Sequence, residues 1–252
     1  MRPITQEIGH FLVAVTFLTR LPTPSDLNHS EGRLARATRY FSLVGTLIGV
    51  IAGGVFFAAS QFLAPSVAAG LALATGLLVT GALHEDGLAD TFDGLGGGRD
   101  AEHALEIMRD SRIGTYGTLA LIVSIGLRWM ALSALGALDG LIALVVAHAI
   151  SRALLPPILM STGYARSQGL ALSVAGGVRG GEVLVAGLLA LAVALIAGIQ
   201  AGLIASAAAI FAGGILLIQS LRKLRGYTGD TLGAIQQVAE IAALIALGAL
   251  LA

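Results

Sequence analysis

The chain has no cysteine, a single lysine against 14 arginines, and only 12% charged residues in a length of 252. The missing cysteine excludes disulfides and thiolate chemistry outright. Sparse charge, 56% hydrophobic residues and a mean hydropathy of +0.87 exclude an ordinary soluble domain and describe an integral membrane protein. Three catalytic signatures are also missing: Gly-x-Ser-x-Gly, His-Glu-x-x-His, and a glycine-rich nucleotide fingerprint following a strand. Acyl transfer and zinc hydrolysis therefore have no supporting motif. There is no convincing internal repeat, which removes the usual signature of a transporter built from two related halves.

What is abundant is glycine, at 34 residues. Membrane helices use small residues to pack closely, and Gly45, Gly49 and Gly53 make two overlapping small-xxx-small steps. Seven stretches are long enough to cross a bilayer: approximately Leu43–Leu63, Val67–Leu83, Thr118–Leu138, Gly140–Met160, Val183–Ile199, Gly202–Leu221 and Leu232–Ala252. The N-terminal stretch Ile8 to Leu18 is too short to span. It follows Arg2 but is interrupted by Glu7, Gly9 and His10, and no small-residue cleavage site follows it. The expectation is an interfacial or re-entrant segment rather than a signal peptide.

The connections alternate between short ones with no basic residue, around Ala64–Ser66, Asp139 and Gln200–Ala201, and long basic ones. The long ones carry Arg20, Arg33, Arg36, Arg39, Arg99, Arg109, Arg112, Arg166, Arg179, Arg222, Lys223 and Arg225. Twelve of the 15 basic residues thus fall on one side, which the positive-inside rule assigns to the cytoplasm. The expected architecture is an all-α polytopic membrane helix bundle. It has about seven transmembrane helices plus a short N-terminal helix, forming one catalytic domain over residues 1–252.

Against this apolar background stands His84-Glu85-Asp86-Gly87-Leu88-Ala89-Asp90-Thr91-Phe92-Asp93-Gly94, with four carboxylates in nine residues. On a helix, Asp86, Asp90 and Asp93 fall within roughly 60° of one another. Like charges on one face repel, so a hard cation with oxygen ligands is the natural partner. The competing interpretation is a solvated acidic face at a helix end.

Two further constellations share the same side. Asp110-Ser111-Arg112-Ile113-Gly114-Thr115-Tyr116-Gly117 follows a polar helix candidate with Glu106 and Arg109. Arg109 and Arg112 suit bidentate phosphate recognition, and Gly114 and Gly117 would let helix-start amides approach an anion. Ordinary helical ion pairing is the alternative there. Thr228-Gly229-Asp230 makes a turn that can aim a hydroxyl and a carboxylate at one point, while Asp230 also fits a helix N-cap.

Inside the spans lie Arg128, His148, Arg152 and Glu240. Unpaired, each would cost at least about 2.5 kcal/mol in the hydrocarbon centre, so they face the bundle interior and pair. His148 has no second ligand at ligand spacing, which favours a hydrogen-bonded structural role over metal ligation. Arg152, nearer the cytoplasmic end, is the better candidate for substrate contact.

These blocks together resemble the cobalamin synthase (adenosylcobinamide-GDP ribazoletransferase) family. The resemblance is carried by Phe17-Leu18-Thr19-Arg20-Leu21-Pro22, by the acidic block through Leu95, by Glu106 to Gly117, and by Tyr227 to Ala234. It implies an enzyme of the late cobalamin pathway. Such an enzyme joins α-ribazole (or α-ribazole 5′-phosphate) to adenosylcobinamide-GDP, releasing GMP and forming adenosylcobalamin (or its 5′-phosphate). It also implies Mg²⁺, expected on Asp86, Asp90 and Asp93. Glu85 or Asp230 would be a further ligand or the base, and Arg20, Arg109, Arg112, Arg152 and Thr228 would contact substrate. The expected setting is the inner (cytoplasmic) membrane with the site facing the cytoplasm, lipid around the bundle, no nucleic acid, and room for a homo-oligomer. A CDP-alcohol phosphatidyltransferase-like enzyme is the nearest chemical alternative. Gly226 and Asp230 begin its spacing, but Ala234 stands where its last aspartate belongs. A cation transporter is the alternative of a different class.

Overall fold

The structure, a computed structural model, describes residues 3–24, 31–161, 163–165, 174 and 177–252. Arg2 and Arg166, both counted among the basic residues above, lie outside the described residues. The described chain is helical: α1 (Pro3–Leu18), α2 (Glu31–Ala37), α3 (Phe41–Ala59), α4 (Pro65–Thr80), α5 (Leu83–Gly97), α6 (Ala101–Ile107), α7 (Thr115–Ser133), α8 (Ala137–Ala153), α9 (Leu155–Ser161), α10 (Gly180–Ala194), α11 (Ile199–Leu224) and α12 (Gly229–Leu251). Among the described residues the only extended pairing is an isolated parallel bridge between Tyr164 and Tyr227.

Six continuous helical stretches are long and apolar enough to cross a membrane. A seventh candidate, α4 with α5, is bent by 90°. All seven expected spans are thus present as helices, and the expected Val67–Leu83 span is the one that breaks. The break has a local cause, since Gly81 and Ala82 both take left-handed backbone conformations, with φ of 64° and 54°. The Ala82 amide closes the end of α4 by donating to the Leu77 carbonyl at 2.9 Å. Glycine at 81 also leaves room for Arg20, since a Cβ there would lie 2.5 Å from Arg20 Nε and the side chain would have to shift.

At the centre stands α8, which is buried continuously from Ala143 to Arg152. It reaches its neighbour α3 through the expected glycine steps. A Cβ on Gly49 would lie 2.5 Å from Val145 Cα, and one on Gly53 would lie 3.1 Å from Leu141 Cα. The two backbones touch, which is how small residues associate helices where lipid offers no hydrophobic drive. The N-terminal helix is more than an interfacial strip. Val13, Ala14 and Leu18 of α1 are buried in the same core as Phe41, Val44 and Leu155.

Gly49→Leu should therefore lower stability by about 1–3 kcal/mol through overpacking. Gly54, which has open space where a Cβ would go, should accept alanine at no cost. Thermal unfolding of the two detergent-purified variants checks the contrast.

Candidate active site

The acidic helix α5 does not gather its carboxylates; it sends them to different partners. Glu85 is buried and turned into the bundle, where its Oε1 lies 3.1 Å from Arg128 Nη1. Asp86 is exposed and lines a cavity. Asp90 is half-buried one turn further on. Asp93 is buried and accepts from two backbone amides at the start of α7, Gly114 N at 2.7 Å and Gly117 N at 2.9 Å.

The anion expected at Gly114 and Gly117 is therefore supplied by the chain itself. Side chains at either glycine would collide with the Asp93 carboxylate, and the helix dipole of α7 favours the charge held there. Among the described residues no three His, Asp or Glu side chains converge on a metal position. The expected Asp86, Asp90 and Asp93 cage is not assembled, because Asp93 is drawn away to cap α7.

Glu85 belongs to a buried network centred on Glu240, which is 1% exposed. Glu240 Oε2 meets Arg152 Nη1 at 2.9 Å and His148 Nδ1 at 2.8 Å, and it accepts from Gln236 Nε2 at 2.6 Å. Its Oε1 meets Arg128 Nη1 at 3.2 Å, so that Arg128 bridges Glu240 and Glu85. Gln236 continues to Ser151, and Gln237 donates to the Gln236 carbonyl. The intramembrane charges are thus all paired, as their cost demands. Arg152, expected at the substrate, stands inside this network. At 1% exposure it is locked on Glu240 and reaches no open surface. His148 takes the hydrogen-bonded role.

Two sequence blocks more than 140 residues apart do meet. α5 crosses the start of α12 where Gly87 and Gly233 each face the backbone of the opposite helix. A Cβ on Gly87 would lie 2.7 Å from the Asp230 carbonyl oxygen, and one on Gly233 would lie 3.3 Å from His84 Cα. The close crossing brings Asp86 and Asp230 to one cavity of about 190 Å³, together with His84, Gly229 and Tyr164. Phe17, Leu18, Phe41, Leu155 and Leu159 complete its wall. Thr228, not Asp230, is the N-cap of α12, its Oγ1 accepting from Thr231 N at 3.2 Å. Thr228 is fully buried, so it acts on the site by seating Asp230.

The expected arginines sit around this centre rather than inside it. Arg20 follows α1 and lies over the Gly81 bend. Arg109 is exposed beside His103 and Glu106 in an open groove. Arg112 is 88% exposed and holds Asp110, with Nη2 to Oδ2 at 2.6 Å. That guanidinium keeps the Asp110 carboxyl down at about 2. An exposed pair of this kind is screened by water and holds weakly, so a phosphate can displace it. Arg112 and Asp93 line one shallow groove with Tyr116.

His84 and Tyr164 were not singled out by sequence reasoning. His84 is 2% exposed, and among the described residues neither ring nitrogen has a hydrogen-bond partner. The signal available for it was its place at the joint between an apolar helix and an acidic one. Tyr164 had no local signal. It is held by two backbone hydrogen bonds that pair its strip with Tyr227, Ala165 N to Tyr227 O and Tyr227 N to Gly163 O.

The sequence model of the cobalamin-5-phosphate synthase family matches residues 10–248. A Bradyrhizobium diazoefficiens protein named adenosylcobinamide-GDP ribazoletransferase is 46% identical, the match covering 96% of this chain and 94% of that protein. Proteins of the same name from Shewanella baltica (strain OS185) and Shewanella amazonensis are each 42% identical. Those matches cover 94% and 96% of this chain, and 92% and 95% of the relatives. No solved structure matches the chain.

Removing one partner from the Glu240 network should destabilise strongly, by about 3–5 kcal/mol, because the opposing charge is left buried and unpaired. Glu240→Ala and Arg128→Ala should each show this in thermal unfolding. The double variant should lose less than the sum of the two.

Proposed function

The chain belongs to the cobalamin-5-phosphate synthase family, and on that premise we propose how its residues serve the transfer of α-ribazole onto adenosylcobinamide-GDP. The observation that carries the reading is the meeting of Asp86 and Asp230, from two distant blocks, on one cavity. In the reaction a ribose hydroxyl of α-ribazole (or its 5′-phosphate) attacks the phosphorus joined to cobinamide. A new P–O bond forms, the bridging P–O bond breaks, and GMP leaves with the electron pair while the hydroxyl proton is lost. Such displacements ask the protein for positioning and charge neutralisation rather than covalent work.

The donor set fits Mg²⁺ in a form unlike the three-aspartate cage. Mg²⁺ is commonly held by one or two carboxylates, keeping waters and taking its other oxygens from substrate phosphates. Asp86 and Asp230 would supply the carboxylates, with Asp90 on the adjoining turn of the same helix. When bound, the ion would neutralise diphosphate oxygens and the charge developing on the leaving GMP. Arg112 and Arg109 would take phosphate oxygens from the neighbouring grooves, Arg112 by exchanging Asp110 for the substrate. Glu85, committed to Arg128, positions α5 rather than acting as base. Asp93 fixes α7, and with it the Arg112 loop, against α5.

The site would face the cytoplasm of the inner membrane, since the connections that carry Arg20, Arg99, Arg109, Arg112 and Arg225 share its side of the chain topology. Lipid would cover outward apolar side chains such as Leu119, Ile122, Val123 and Met130, which are exposed on α7.

Asp86→Asn, Asp230→Asn and Asp90→Ala in correctly inserted protein should each cut GMP release by about 10²-fold or more. Chelation of divalent cations should abolish release and added Mg²⁺ should restore it. Asp93→Asn should instead lower stability by about 0.5–2 kcal/mol with transfer largely retained. Near-normal transfer by Asp86→Asn would remove the metal assignment. Because the chain has no cysteine, single cysteines report orientation without background. Cysteine at Arg99 should label only from the cytoplasmic side of inverted vesicles, and cysteine at Gln61 only from the other side.

A further inference from the structure

We propose that the cavity beside Asp86 and Asp230 seats the aromatic base of the nucleoside substrate, with His84 as its polar anchor. The inference rests on the transferase reading above and says which part of which substrate enters the protein.

Size decides first. The cavity holds about 190 Å³, below the roughly 300–1,000 Å³ of pockets that enclose a whole drug-sized molecule. A corrin macrocycle is much larger than such molecules and stays outside. One bicyclic heterocycle is of the right order.

Polarity decides second. The polar lining comes from the starts of α5 and α12, as His84, Asp86, Gly229 and Asp230. The apolar lining comes mainly from α1, α3 and α9, as Phe17, Phe41, Leu155 and Leu159, with Leu83 and Leu232 added from α5 and α12. Phe17 and Phe41 stack on one another at 5.7 Å between centroids and 11° between planes, so this wall is preorganised. Guanine carries donors and acceptors around most of its edge, and the phenylalanine and leucine part of the wall would leave those that face it unsatisfied. Dimethylbenzimidazole, the base of α-ribazole, offers two fused apolar rings, two methyl groups and one free acceptor nitrogen. It fits a wall mainly of phenylalanine and leucine with its polar groups gathered at one end.

One of those polar groups is His84. Both of its ring nitrogens are buried and without a partner among the described residues. A neutral imidazole carries one N–H donor, and an unmade buried hydrogen bond is a standing cost. A base nitrogen that accepts from His84 removes it. With the base inside, the ribose lies toward Asp86 and Asp230, where its hydroxyl meets the incoming diphosphate.

Leu159→Trp, which fills the cavity, and His84→Phe, which keeps the ring but removes the donor, test the assignment in detergent-purified protein. Rates are measured with each substrate varied in turn. Both variants should raise KM for α-ribazole about tenfold or more, the size expected when one pocket contact is lost or blocked, with KM for adenosylcobinamide-GDP unchanged. A rise confined to adenosylcobinamide-GDP, or no change in either constant, would overturn the assignment. If either variant fails to fold, the wild type answers through free dimethylbenzimidazole. The base should inhibit competitively against α-ribazole and not against adenosylcobinamide-GDP; any other pattern, including none, counts against the subsite. A wild type that turns over neither nucleoside would instead sink the transferase reading on which the subsite stands. The two failures are therefore distinguishable.

Discussion

The structure depends on one carboxylate, Glu240, held in the middle of the bundle by Arg152, His148 and Arg128. These partners come from α8 and α7, and Arg128 passes the tie on to Glu85 of α5. Four helices are thus registered by one charge that none of them could carry alone in hydrocarbon. A charge network of this kind contributes little net stability compared with apolar packing of the same volume. What it supplies is specificity of position. α5 follows a sharp bend and has no span of its own to define its rotation. Tying Glu85 to Arg128 sets that rotation, and the setting of Asp86 one residue later follows from it.

The four carboxylates of α5 show why a helical wheel is a good first estimate and a poor last one. Spacing places Asp86, Asp90 and Asp93 on one face, and the helix forms as expected. Their fates are decided by what each turn meets. Glu85 meets an arginine, Asp93 meets the open amides of α7, and Asp86 meets a cavity. Mutual repulsion, the puzzle posed by the sequence, is relieved mainly by separate partners within the protein. Asp86 is the one of the four that lines the cavity.

Much of the fold was legible because it follows from composition and period. Apolar length marked the spans, and the Gly45, Gly49 and Gly53 steps marked the face of α3 that meets α8. The cost of unpaired charge in lipid required Arg128, Arg152 and Glu240 to find one another. Less legible were features fixed by long-range contact. Nothing local shows that Ala82 joins Gly81 in a left-handed bend, since that conformation is unusual for alanine and is held by the surrounding structure. The burial of α1 was also hidden, because a short apolar stretch looks the same at an interface and in a core. Arg152 was assigned by depth along its helix, but the side chain follows its counter-ion.

The glycines beside the aspartates explain why the site is written in Asp-Gly and Gly-Asp pairs. Gly87 lets α5 cross α12 at backbone contact, and Gly233 does the same from the other helix. Gly114 and Gly117 leave room for the Asp93 carboxylate at the start of α7. In each case the small residue makes the approach and the acidic residue uses it. An alanine at position 87 would leave the chemistry of every carboxylate intact and still push α12 from α5. The spacing of charge in this chain therefore carries only part of the site's definition. The rest is the distance between backbones, and glycine sets that distance.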